Sequence, residues 1–218
     1  MSKYGGIILC GGKSSRMGLP KATLPFGDEL MLQRVCRLLD SVVDELIVVA
    51  APRQELPPLE ASIRIVHDRR EGRGPLEGLA AGLSALDESV EAAYVTACDV
   101  PLLSTGFVLR MFEMLEAGMA DGARAEIAVP KVDGFHHPLS AVYRRSVLSA
   151  IEALLAADRL RPFFLFEQVA TREIEPAEWS DVDPQSATLA NLNHPADYIQ
   201  AIEQAGLEIP AALRERLV

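Results

Sequence analysis

Positive charge, cysteine and long apolar runs are all scarce in this chain of 218 residues. Lys and Arg number 21 against 31 Asp and Glu, for a formal net charge of −10. That balance excludes a general nucleic-acid binder. No apolar run is long enough to span a bilayer, and no signal-peptide hydrophobic region opens the chain, so a cytoplasmic protein without a membrane partner is expected. The three cysteines, Cys10, Cys36 and Cys98, are far apart and show neither CxxC nor Cys/His spacing, and the four histidines do not make a zinc site. Cys10 and Cys98 each close an apolar run, where cysteine serves as a small buried hydrophobe. Gly-x-Ser-x-Gly is missing, and so is any Cys/His/Asp grouping of a nucleophilic enzyme. Lys13 follows Gly12 without the Walker frame, and the first loop lacks Gly-x-Gly-x-x-Gly, which argues against a nicotinamide dehydrogenase. What remains is chemistry by positioning and charge neutralisation, as in phosphoryl and nucleotidyl transfer.

Against that background one stretch stands out, Leu9 to Lys21. A short apolar run opens into Gly11 and Gly12, which allow backbone amides to turn toward a ligand. Lys13, Arg16 and Lys21 supply cations, and Ser14 and Ser15 supply hydroxyl donors. The first 27 residues hold four cations and no Asp or Glu. Two readings fit: an oligophosphate cradle at the end of a strand, or a basic surface loop with turn glycines. A cationic island in an acidic protein favours the first.

Apolar runs alternate with helical patterns along the chain. Strands are expected at Gly6–Cys10, Glu45–Ala50, Ile63–His67 and Ala93–Ala97, with helices at Met31–Leu39, Leu76–Leu86 and Thr105–Ala117. Gly78 and Gly82, four apart, put a bare stripe on one helix. After residue 120 the spacing predicts antiparallel strands Ile127–Val132 and Leu139–Tyr143, joined by Asp133–His137. A helix at Ser146–Ala156, an edge strand at Arg172–Ile174 and helices at Pro195–Ala205 and Pro210–Val218 follow. The expected fold class is α/β: a Rossmann-like three-layer α/β/α domain over 1–218. Its sheet is mostly parallel, with an antiparallel extension in the C-terminal half. Functional loops then lie at the carboxyl ends of the strands.

Asp99 closes the fourth strand and so falls beside the opening loop. A carboxylate facing phosphates calls for a cation between them, and Mg²⁺ is the usual one. The alternative, a helix or turn cap, is weakened because Ser104 is better placed to cap the next helix. Asp68 ends the third strand in the same way. Its charged, glycine-rich sequel, 69–78, suits either a sugar or base contact or a solvated turn.

The segments Leu9-Cys10-Gly11-Gly12-Lys13-Ser14-Ser15-Arg16-Met17-Gly18 with Lys21, Leu24-Pro25-Phe26-Gly27, Gly74-Pro75-Leu76, Cys98-Asp99-Val100-Pro101, His137-Pro138 and Asn191-Leu192-Asn193-His194-Pro195 occur in one order. In that order they resemble the molybdenum cofactor guanylyltransferases. The resemblance implies transfer of GMP from GTP to molybdopterin carrying molybdenum, with release of pyrophosphate. It implies nucleotide contacts at Leu9, Cys10, Gly11, Gly12, Lys13 and Ser14, with Asp68 on the nucleoside. Lys21 and Arg16 would act on the triphosphate, and Asp99 on nucleotide and Mg²⁺. Asn191, Asn193 and His137 would face the pterin acceptor, which makes 1–120 the nucleotide-binding half and 121–218 the acceptor-binding half. Where the family often has an asparagine after the second strand, this chain has Ala50-Ala51-Pro52. A cytidylyltransferase, a sugar-phosphate nucleotidyltransferase and a non-catalytic GTP-binding module are the competing readings. The acidic C-terminal half carries no interaction motif, so a monomer or weak oligomer is expected, with transient contact to molybdenum-cofactor insertion proteins.

Overall fold

The computed structural model describes residues 3–11, 19–70 and 72–209, and within them the apolar runs become strands of one eight-stranded sheet. The elements are β1 (Lys3–Leu9), β2 (Pro25–Phe26), β3 (Glu29–Leu30), α1 (Met31–Asp40), β4 (Glu45–Ala50), β5 (Arg64–His67), α2 (Pro75–Ala85) and β6 (Val90–Ala97). They continue with α3 (Thr105–Ala117), β7 (Ile127–Val132), β8 (Phe135–His136), β9 (Ala141–Arg144), α4 (Leu148–Ala156), α5 (Phe163–Phe166), β10 (Thr171–Ile174) and α6 (Pro195–Gln204). β1 lies between β4 and β6 and runs parallel to both, and β5 extends the parallel row from β4. β9 is antiparallel to β6 and to β7, and β10 closes the far edge parallel to β7. The fold is therefore the expected α/β sheet, mostly parallel, with its antiparallel part in the C-terminal half.

Alternation along β1 explains the layering. Ile8 and Cys10 pack into a core with Leu32, Val35 and Leu39 of α1 and Phe107 and Met111 of α3. Ile7 and Leu9 face the other way, onto Leu76, Leu79 and Leu83 of α2 and Ile151 of α4. The glycine stripe of α2 serves this contact, since a Cβ on Gly82 would sit 2.6 Å from Ile7 Cγ2. Gly74, ahead of Pro75, takes φ 76°, a conformation that favours glycine and starts the helix. As expected, Ser104 caps α3, its Oγ accepting from Phe107 N at 3.3 Å.

Differences from the expected elements are local. The Asp133–His137 connection contains β8, which pairs back on β7 through Asp133 and Gly134. Their φ angles of 49° and 81° are those of a tight hairpin turn. β9 begins at Ala141 rather than Leu139, because Ser140 N closes a turn on His137 O at 3.1 Å. α4 begins at Leu148, after a 3₁₀ turn over Arg145–Val147. The expected helix at Pro210–Val218 lies outside the described residues.

A third, smaller core joins the two ends of the chain. Leu24, Phe26 and Met31 around the β2–β3 hairpin pack against Leu192, Tyr198, Ala201 and Ile202 on and before α6. Tyr198 OH donates to Pro25 O across this junction. No helix among the described residues is long and apolar enough to cross a membrane.

Candidate active site

The chain runs from β1 to β4 and β5 on one side and then crosses back to place β6 on the other side of β1. Such a reversal opens a crevice at the carboxyl ends of the central strands. A cavity of about 570 Å³ lies there, lined by Leu9 and Gly11 after β1, Asp68 after β5, Asp99 after β6, and Asn191 and Asn193 ahead of α6. Six of the residues expected from sequence thus meet, although they come from four separate stretches.

Lys21 joins them through a network. Its Nζ donates to Asp99 Oδ2 at 2.6 Å and to Asn193 Oδ1 at 3.0 Å. The paired side chains are only 15% and 13% exposed, so solvent screens them weakly. The backbone fixes the same triangle. Leu192 N donates to Asp99 O at 3.0 Å, and Asp197 Oδ2, in the first turn of α6, accepts from Asn193 N and His194 N at 2.9 and 2.7 Å. Asp99 Oδ1 is buried and has no hydrogen-bond partner among the described residues. Among the described residues no three His, Cys, Asp or Glu side chains gather as a metal cluster. One carboxylate with a free, inward oxygen fits Mg²⁺, which binds through one or two carboxylates and completes its shell with phosphate and water.

Asp68 sits differently. Its backbone N continues the sheet by donating to Ala50 O at 3.1 Å. Its carboxylate rests where a Cβ on Gly11 would come within 3.2 Å of Oδ2 and a Cβ on Gly78 within 3.3 Å of Oδ1. Burial, reinforced by Glu77, raises its pKa above the ordinary carboxylate value.

Cys10 does not line the cavity. Its side chain turns into the α1–α3 core, where the neighbouring Cys98 thiol and burial hold its pKa well above the usual thiol value. The residue bears on the cavity through its backbone alone. His137 does not line it either: it forms the base of the β7–β8 hairpin, its N donating to Pro130 O at 2.9 Å. Burial, with His136 beside it, lowers the His137 pKa. Leu139, two residues on, reaches the cavity instead. Gly12, Lys13, Ser14 and Arg16 lie outside the described residues.

Ala51 also lines the cavity, as do Gly72, Gly74 and Gly78 from the segment 69–78 that suited either a sugar or base contact or a solvated turn. The Gly-Pro pair after Asp68 and the four-residue glycine spacing were their signal. Gln54, whose side chain braces the cavity rim from behind, has no local sequence signal.

Comparison with known proteins agrees with this geometry. The family model of the MobA-like NTP transferase domain matches residues 6–171. A Mycobacterium avium protein named "Probable molybdenum cofactor guanylyltransferase" is 36% identical over 203 residues, covering 92% of this chain and 95% of that protein. A protein of the same name from Methanosarcina acetivorans is 37% identical over 199 residues, covering 86% of this chain and 84% of its own length. Among solved structures, the molybdopterin-guanine dinucleotide biosynthesis protein A of Archaeoglobus fulgidus superposes with a TM-score of 0.74. The match covers 93% of this chain and 98% of that one at 18% identity, a likeness of fold.

Proposed function

Since the chain belongs to the MobA-like NTP transferase family and is a nucleotidyltransferase, we propose that it transfers GMP from GTP to molybdopterin carrying molybdenum, with Mg²⁺. The products are molybdopterin guanine dinucleotide and pyrophosphate. The single observation that carries this reading is the Lys21–Asp99–Asn193 triangle at the strand crossover. It sets one cation within hydrogen-bond reach of both a carboxylate and an amide on the loop before α6.

In the proposed reaction the terminal phosphate oxygen of molybdopterin forms a bond to the α-phosphorus of GTP. The bond from that phosphorus to the α,β-bridging oxygen breaks, and pyrophosphate leaves with the electron pair. The nucleophile is already an anion, so no general base is required. Lys21 offsets the negative charge gathered between the two substrates, with Lys13 and Arg16 assigned the same role from sequence. Asp99 would hold Mg²⁺ through Oδ1, and the ion when bound supplies charge neutralisation at the phosphate oxygens. Asp68 accepts from the nucleoside, and Asn191 and Asn193 bind the acceptor.

The test is incubation of the protein with Mg²⁺, molybdopterin and each nucleoside triphosphate in turn. Pyrophosphate is assayed and the dinucleotide weighed by mass spectrometry. The expected result is turnover with GTP at least about tenfold above CTP, a discrimination of roughly 1.4 kcal/mol. A preference for CTP, turnover only with a sugar phosphate, or GTP binding without pyrophosphate release overturns it.

A further inference from the structure

The parallel ladder between β1 and β4 stops one rung early. Leu9 pairs with Val49, and Cys10 N donates to Val49 O at 2.8 Å. In a regular parallel ladder the next bond runs from Ala51 N to Cys10 O. Here the Gln54 side-chain amide occupies that rung: its Oε1 accepts from Ala51 N at 3.0 Å and its Nε2 donates to Cys10 O at 3.0 Å. An amide thus stands between the two chains where they would otherwise bond directly, spreading them by its own width. Gly11 and Ala51, each in or beside this bridge, both line the cavity.

The turn that delivers Gln54 is built for the purpose. Ala51-Pro52-Arg53-Gln54 closes through Gln54 N to Ala51 O at 3.1 Å, with proline at the position where its fixed φ is preferred. Arg53 has φ 64°, a left-handed conformation unusual for a residue with a Cβ. The chain accepts an unfavourable backbone at Arg53 to bring one amide into the ladder.

We propose that Gln54 is a positioning residue for the nucleotide, holding the ends of β1 and β4 apart at the width the nucleoside requires. The inference rests on the reading of this cavity as the nucleotide site. Gln54 does not line the cavity and both its amide groups are engaged, so it acts through Cys10, Gly11 and Ala51.

The experiment is calorimetric binding of GTP with Mg²⁺, alongside steady-state kinetics, for wild type, Q54A and Q54E. Q54A is expected to weaken GTP binding and raise its KM about tenfold, with kcat and the molybdopterin KM within about twofold. Q54E at about pH 8 places a carboxylate oxygen against Cys10 O and weakens GTP binding similarly. Wild-type affinity in folded Q54A or Q54E, or an equal loss toward both substrates, overturns the inference. Failure of wild type to bind GTP at all overturns the nucleotide reading with it, so the two failures are distinguishable.

Discussion

Asp99 and Asp68 end two strands of one sheet and border one cavity, yet their surroundings oppose each other. Asp99 is tied to Lys21 at 2.6 Å, its loop is pinned by Leu192, and its other oxygen has no partner among the described residues. Asp68 forms no salt bridge among the described residues, and it rests on space left by Gly11 and Gly78 with its pKa raised by burial. On the proposed reading of the site, the difference separates two tasks that both need an acid. A carboxylate aimed at phosphates requires a cation to share the site, whereas one meant to accept from a sugar hydroxyl works in a less charged niche.

Replacing Asp99 by alanine breaks the comparison most severely. Turnover is expected to fall about 10³-fold or more, with the melting temperature changed by only a few degrees. Pyrophosphate release and thermal melting check this. Near-wild-type turnover would remove Asp99 from the site. Lys21→Ala should cost about 10²–10³-fold in kcat/KM, and Lys21→Arg should restore little, because a planar guanidinium does not reproduce a compact ammonium between Asp99 and Asn193.

Asp68→Asn sharpens the contrast, because activity and stability should move in opposite directions. The KM for the nucleotide is expected to rise about tenfold. The raised folded-state pKa means that the carboxyl's stabilising contribution is full below the unfolded value of 3.8 and is lost as pH rises through the folded value. At neutral pH the asparagine variant should therefore melt higher, by about 1–3 °C, with the gap closing in acid. A lower melting temperature at pH 7 would show the carboxylate to be structural. The smallest expected effect belongs to Gly78→Ala. Its Cβ would come 3.1 Å from Leu9 Cδ2 and 3.3 Å from Asp68 Oδ1, so Asp68 must shift slightly. A two- to threefold rise in nucleotide KM, roughly 0.5 kcal/mol, with kcat unchanged is the expected reading.

The central strands were legible because β1, β4 and β6 are buried apolar runs, and α1, α2 and α3 announce themselves by their apolar spacing or caps. Asp68 and Asp99 were legible by position, since a carboxylate directly after such a strand falls at the crevice. Elements of two to four residues, β2, β3, β8 and α5, were not, for periodicity has no room to show itself there. The Lys21–Asn193 bond joins residues 172 apart, and Gln54 reaches across strands from an unremarkable turn. Neither leaves a trace in its own neighbourhood. Cys10 was legible as a buried side chain because it closes an apolar run, whereas the place of His137 at the base of a two-residue hairpin was not, because motif order does not say which way a side chain faces.

The small core beneath the β2–β3 hairpin has a consequence for biosynthesis. Its two halves, bridged by Tyr198 and Pro25, lie 173 residues apart. A ribosome adding about 5–20 residues per second needs roughly 10–35 s to pass from one to the other. Until then Leu24, Phe26 and Met31 lack their cover, and Lys21 lacks Asn193. The nascent protein therefore carries the Lys21–Asp99–Asn193 triangle incomplete through most of its synthesis, and closes it only once residue 193 has emerged.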